Sequence, residues 1–218
     1  MDDPSDTKPP DFDATFRQQL GTLFRWRRDV RRFRTDPIDG TVIDRLLAMA
    51  ALAPSVGNSQ PWRFVKVNDS ARRAAIRASF EACNKDALAD CHGERARLYA
   101  QLKLEGLDKA PVQLAVFVDA ETAVGLGLGQ KTMPETLNYS VVAAINHLWL
   151  AARAEGIGVG WVSILEPDKV TDALDVPAGW SLVAYLCVGY PEEDHDVPEL
   201  VRAGWQDRLD ISEFVIER

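Results

Sequence analysis

Apolar residues in this chain recur in two rhythms, and the switches between them mark out the elements. Over residues 14–26, Phe16, Leu20, Leu23 and Phe24 keep helical spacing and predict a short amphipathic helix. Residues 41–53 place Val42, Leu46, Met49, Ala50 and Ala53 on one helical face, widened by Ile43 and Leu47, and Pro54 stops the run. Ser70 is expected to cap a helix through Ile76 and Phe80. The longest stripe is Leu137, Val141, Ala144, Ile145, Leu148 and Ala152. It follows a capping-box spacing of Thr132 and Glu135, has Pro134 in its first turn, and ends at Gly156. Pro167 opens a short helix through Leu174. Between the helices, residues 63–67, 111–119 and 182–189 read as strands, the last two apolar enough to be buried on both faces. Residues 156–163 combine three glycines with a strand pattern, so this backbone can approach another chain or a ligand closely, and Ser163 emerges at its end.

Helices and strands alternate unevenly, which predicts an α+β fold rather than a doubly wound sheet. At 218 residues, without repeats or a break in composition, a single domain over residues 14–218 is expected. Residues 1–13 are polar and proline-interrupted and read as a disordered tail. Residues 84–109 are densely charged, yet Leu98, Tyr99, Leu102, Leu104 and Leu107 recur; a lid over a site and a plain surface helix both fit. Residues 191–218 form a charged C-terminal arm whose Trp205, Leu209, Ile211, Phe214 and Val215 call for a neighbouring surface or subunit. The alanine-rich central helix is equally compatible with core packing and with a dimer interface.

The net charge of −8 argues against general nucleic-acid or anionic-membrane binding. No apolar run approaches the roughly 20 residues of a membrane helix. The three cysteines form no CxxC pair and no metal-ligand spacing with histidine, so no metal site is expected. The odd cysteine count and the lack of an apolar signal segment point to a reducing cytoplasm. Against this acidic background, Arg27, Arg28, Arg31 and Arg32 surround the single carboxylate of Asp29, and the apolar Val30 and Phe33 interrupt the run. Arginine forks stay charged and bind phosphate bidentately, so the cluster reads as an anion site rather than a solvated turn. The stretch from Pro54 to Trp62 carries Ser55, Asn58, Ser59 and Gln60 between prolines. It suits the polar edge of a flat ligand, or is simply a helix-to-strand turn. Gly125, Gly127 and Gly129 make no GxGxxG fingerprint and read as a flexible loop.

Taken in order, the arginine run, the loop with Ser55, Asn58, Gln60, Pro61 and Trp62, the Gly158/Gly160/Trp161 strand and the closing Val188-Gly189-Tyr190-Pro191 resemble the FMN-binding nitroreductase-like superfamily. The resemblance spans nearly the whole chain after the tail. It implies a central, mostly antiparallel sheet flanked by helices, in an intertwined homodimer with FMN at the interface and exchanged C-terminal arms. Asp29 stands where that superfamily usually has serine. Together with Ser163 and the segments 103–107, 110–117 and 132–135, it resembles the branch formed by the BluB-type 5,6-dimethylbenzimidazole synthases.

That branch implies a flavin that is substrate rather than cofactor. Reduced FMN and dioxygen would be converted to 5,6-dimethylbenzimidazole, the lower ligand of vitamin B12, and erythrose 4-phosphate. NAD(P)H would enter only through a separate reductase that supplies reduced FMN. Carried over residue by residue, the flavin contacts are Arg27, Arg28, Asp29, Val30, Arg31, Ser55, Asn58, Gln60, Val162 and Ser163. Leu104 from the lid segment, Arg208 from the arm and Met133 join them. Asp29 would act in proton transfer, its arginine neighbours lowering its pKa so that it starts as a base; a purely structural salt bridge is the competing reading. Ser163 would sit near the reacting flavin edge and orient the oxygen adduct by hydrogen bonding. Two other functions fit the same fold: an NAD(P)H-dependent flavin reductase or nitroreductase that keeps its FMN, and a non-catalytic flavin-binding module.

Overall fold

The computed structural model describes residues 8–89, 92, 93, 98 and 105–218. Among them, strands β1 (Trp62–Lys66), β2 (Val112–Asp119), β3 (Gly158–Val162) and β4 (Trp180–Gly189) form one sheet in the order β1-β2-β4-β3, with every neighbouring pair antiparallel. The two continuously apolar runs, β2 and β4, are the central strands, and their residues enter the cores on both faces of the sheet. Leu114, Val116 and Val118 of β2, with Ala184, Leu186 and Val188 of β4, face α2 (Gly40–Ala50) and α5 (Thr136–Ala154). The alternate residues Ala115, Phe117, Tyr185 and Cys187 face α3 (Ser70–Ala89) and α6 (Pro167–Leu174). The fold is the α+β arrangement expected of the sequence.

Several local expectations change on inspection. Asp69, not Ser70, caps α3: its carboxylate accepts from the Arg72 N–H at 2.9 Å, and its longer side chain reaches a donor while Ser70 is already helical. No capping box forms at Thr132 and Glu135. The central helix begins at Thr136, whose hydroxyl donates to the Met133 carbonyl at 2.6 Å. Its other end is as expected: Gly156 takes φ +73° while the Ile157 N–H donates to the Ala152 carbonyl at 2.9 Å, so a left-handed residue satisfies the last turn. On α2 the buried face is Ile43, Leu46 and Ala50, and Met49 is exposed.

Helix α1 (Ala14–Trp26) is started by Asp13, whose carboxylate accepts from the Phe16 N–H at 2.7 Å. Its predicted apolar face has no buried residue; Phe16, Leu20 and Phe24 are exposed. The C-terminal arm carries only α7 (Glu199–Arg202) and a 3-10 turn (Ile211–Phe214), and Leu209, Ile211, Phe214 and Val215 are exposed. Both surfaces are apolar and uncovered within one chain. Residues 90, 91, 94–97 and 99–104 of the lid segment, Leu104 among them, lie outside the described residues, as does the tail up to residue 7. Its downstream flank is α4 (Gly106–Lys109). No helix among the described residues is long and apolar enough to cross a membrane.

Candidate functional site

The arginine run is held against the open edge of β3 by backbone pairing. Asp29 bridges Val159 in parallel, the Val30 N–H donates to the Val159 carbonyl at 3.0 Å, and Phe33 bridges Pro191. Glycine makes this approach possible. A Cβ on Gly160 would lie 2.1 Å from the Val30 carbonyl oxygen, and one on Gly158 would lie 2.7 Å from a Val30 methyl. Phe33 then anchors the run: it is fully buried, and a Cβ on either Gly106 or Gly189 would meet its ring at 3.0 Å. The glycines that seemed to invite a ligand are thus occupied by the chain's own arginine segment.

This pairing fixes the side chain of Asp29. Its Oδ1 accepts the Trp161 N–H at 2.9 Å, and its Oδ2 lies 3.7 Å from Arg31 Nε. The side chain keeps 38% of its surface open at the mouth of the site, while the protein packed around its other sides strips much of its hydration. Desolvation raises its pKa, and the Glu199 carboxylate adds to the rise; the Trp161 N–H, Arg31 and Arg27 oppose it without prevailing. The expectation that flanking arginines hold Asp29 below its ordinary value is therefore corrected. Arg31 is the one guanidinium in ion-pair range of Asp29 among the described residues, and at 3.7 Å it makes no short hydrogen bond.

Arg27, Arg28 and Arg208 lie close to one another beside the Asp29 carboxylate. Arg27 stacks over the Trp149 ring at 5.0 Å, and the Trp149 indole N–H donates to the Arg28 carbonyl at 3.1 Å, so α5 clamps the start of the run. Arg28 Nε is buried with no hydrogen-bond partner. Burial, then Arg27, then Arg208 lower its pKa. Arg208 of the arm lines one cleft with Arg28, Arg25 and Phe24, and with Asp196, whose carboxylate opposes the lowering of Arg28 without reversing it. An orphaned buried donor beside like charges is the signature of a place built for an anion, and a phosphate fits it.

Arg27, Arg28, Asp29, Val30, Arg31 and Arg208 are thus brought together, and Ser163 follows β3 two residues beyond Trp161, exposed. The Val162 side chain points away into the core with Tyr185 and Val170, which leaves only its backbone for a ligand. Ser55, Asn58 and Gln60 do not join this group. They precede β1, on the opposite edge of the sheet and at its other end, three strand spacings of about 4.8 Å away. Their loop is shaped by left-handed residues, with φ +56° at Gly57, +52° at Asn58 and +46° at Gln60. The Ser55 hydroxyl accepts the Gln60 N–H at 3.1 Å. The glycine loop read as flexible braces it: a Cβ on Gly125 would lie 2.4 Å from the Gly57 carbonyl oxygen.

Three participants escaped the sequence reading. The Trp161 N–H carries no side-chain signal, Trp149 sits beside the apolar stripe rather than in it, and Glu199 is one of several acids in an arm without periodicity.

Comparison with known proteins places this geometry. The nitroreductase family model matches residues 24–190. A curated protein of Rhodospirillum rubrum named 5,6-dimethylbenzimidazole synthase is 64% identical over 199 residues, covering 91% of this chain and 94% of that protein. One of the same name from Rhodobacter capsulatus is 52% identical over 198 residues, covering 91% and 96%. Among solved structures, iodotyrosine deiodinase bound to FMN and 3-iodo-L-tyrosine aligns with a TM-score of 0.69 and 27% identity over 81% of this chain and 91% of that one.

Proposed function

The chain belongs to the nitroreductase family, and from that premise we propose that it acts as a 5,6-dimethylbenzimidazole synthase, converting reduced FMN and dioxygen to 5,6-dimethylbenzimidazole and erythrose 4-phosphate. The observation that carries the reading is 64% identity, across almost the full length of both chains, to a protein of that name. The geometry agrees: a carboxylate fixed by a backbone N–H stands beside an anion cradle.

In this reading the FMN phosphate lies on Arg27, Arg28 and Arg208, where it would satisfy the orphaned Arg28 Nε. The flavin supplies the electrons that reduce dioxygen and the ring system that becomes product. The protein's own part is positional and protic. Asp29, oriented by the Trp161 N–H and raised in pKa by desolvation, takes up a proton more readily than an ordinary aspartate and can return it to the flavin. Ser163, exposed at the end of β3, donates or accepts a hydrogen bond at the reacting edge.

Ser55, Asn58 and Gln60 reach the same flavin from a second copy of the chain. A homodimer of that kind would also cover the apolar faces of α1 and the C-terminal arm. A separate reductase provides the reduced FMN.

The test mixes purified protein with FMN reduced by a separate reductase, admits air, and looks for 5,6-dimethylbenzimidazole by chromatography and mass. Product is expected, and Asp29→Asn and Ser163→Gly should each lower it by about 100-fold or more while the fold persists. Recovery of intact FMN alone, under conditions where the protein binds reduced flavin, would sink the reading in favour of a flavin-retaining reductase or a binding module. Normal product from either variant would remove that residue from the mechanism.

A further inference from the structure

Arg31 has more than one carboxylate to answer. Its Nε lies 3.7 Å from Asp29 Oδ2 and 4.0 Å from Glu199 Oε2, and the second Glu199 oxygen lies 3.7 Å from Arg32. Arg31 and Glu199 are the enclosed members of this chain of charges, with 16% and 18% of their side-chain surfaces exposed. Glu199 opens α7 in the arm, whereas Asp29 and Arg31 belong to the segment laid on β3. Two distant parts of the sequence thus compete for one guanidinium. A cation shared between two anions neutralises neither as fully as it would alone, and a second carboxylate nearby disfavours ionisation of the first.

We propose that Glu199 is a positioning residue for Asp29: by drawing Arg31 into a shared pair, it governs how readily Asp29 releases its proton. The inference rests on the reading of Asp29 as the proton-transfer residue. Other charged and titratable groups surround Asp29 and Arg31; at the start of α4, the Glu105 N–H donates to the Arg31 carbonyl at 3.1 Å, while its carboxylate pairs with Lys109 at 2.8 Å. From its own segment Asp29 faces Arg27 and Arg31, with Arg28 and Arg32 lining the same pocket. From β3 it faces the Trp161 N–H, and from β4 the buried Cys187 thiol, itself pushed up to about 12 by burial and by Asp29. The arm contributes Glu199, with Glu193, His195 and Arg202 around the rim. Glu193 and His195 answer each other at 2.9 Å. Among the arm's acids, Glu199 alone is within ion-pair distance of Arg31 among the described residues.

Glu199→Gln keeps the shape of the side chain and removes its charge. Arg31 is then free for Asp29, and the Asp29 titration should move to lower pH by about one unit. Glu199→Asp retains the charge and should restore much of the wild-type value. Two readouts separate the inference from the reading beneath it. The first is the 13C titration of the Asp29 carboxyl in ligand-free protein, assigned as the resonance lost in Asp29→Asn. The second is the pH profile of 5,6-dimethylbenzimidazole formation, whose Asp29 limb should shift in the same direction. A shift in the carboxyl titration without any product would uphold the Glu199 coupling and sink the synthase reading. Product with an unchanged titration in Glu199→Gln overturns the inference and leaves the synthase reading standing. Equal shifts in the Gln and Asp variants would also overturn it, because a loss of packing rather than of charge would then be the cause.

Discussion

The two polar clusters at opposite edges of the sheet are held by opposite means. The Arg27–Arg31 segment is pinned by backbone bonds to β3, by a buried Phe33, and by glycines whose missing side chains it fills. The Ser55–Gln60 loop has no backbone pairing with a strand, and the Arg63 side chain of β1 reaches only its end, donating to the Gln60 carbonyl at 3.1 Å. It holds its shape through left-handed residues, a Val56 N–H that donates to the Ser140 hydroxyl of α5 at 3.0 Å, a fully buried Ser59, and a glycine-to-glycine contact with the 125–129 loop. The first cluster carries charge, an orphaned guanidinium donor and a desolvated carboxylate; the second carries neutral amides and hydroxyls, the buried Ser59 hydroxyl among them likewise without a hydrogen-bond partner. Chemistry that must hold a proton at a fixed atom needs the rigid element, and edge recognition of a flat ring tolerates the softer one.

The largest effect should follow from filling the space on β3. Gly160→Ala forces a methyl to within 2.1 Å of the Val30 carbonyl, where neither backbone can yield without breaking the pairing. A loss of about 3 kcal/mol is expected, the top of the usual range for overpacking. In a chain of this length that lowers Tm by roughly 6–12 °C. Gly125→Ala meets a similar obstruction, 2.4 Å from the Gly57 carbonyl, but in a surface loop that can swing outward. It should cost about 1–2 kcal/mol in thermal unfolding, despite its φ of +82°. Equal losses in the two variants would break the contrast between a rigid edge and a soft one.

Arg28→Met sharpens the electrostatic half of the contrast. Isothermal titration with FMN should show affinity weakened roughly 10- to 100-fold, the range for a charge-assisted hydrogen bond. The ligand-free variant should unfold at the same or a higher temperature, because it no longer buries an unpartnered donor beside Arg27 and Arg208. Unchanged FMN affinity would move the phosphate off this cluster.

How much of this was legible in the sequence follows from what each feature depends on. The strands, the helices and the arginine run are local patterns, and α1 and α6 have the ends that spacing predicted. The Gly158/Gly160 alternation was visible as a close approach, but not what approached, since Val30 lies well over a hundred positions upstream. The direction of the Asp29 pKa could not be read from neighbours in sequence. Arg27 and Arg28 turn toward Trp149 and Arg208, and desolvation by β3 and the arm prevails over Arg31. Nor could sequence order reveal that Ser55, Asn58 and Gln60 lie on the far edge of the sheet from Asp29.

The smallest effect, and the one that decides between the two readings of Asp29, is the pH dependence of stability in Asp29→Asn. In the folded protein the carboxyl pKa is raised, so the folded chain holds its proton more tightly than the unfolded chain does. Stability therefore falls as pH rises from the ordinary carboxylate value through the raised one, and the cost persists at neutral pH. Asparagine keeps an oxygen for the Trp161 N–H and never ionises. The variant should thus match the wild type in acid, below the ordinary carboxylate value, and equal or exceed it in Tm at neutral pH. Scanning calorimetry from roughly pH 3 to pH 8 runs from below the ordinary carboxylate value to beyond neutrality. A variant that is less stable at neutral pH, with the deficit closing on acidification, would mean that Arg31 outweighs desolvation. Asp29 would then be a structural ion pair, and the division of labour between the two edges would lose its chemical basis.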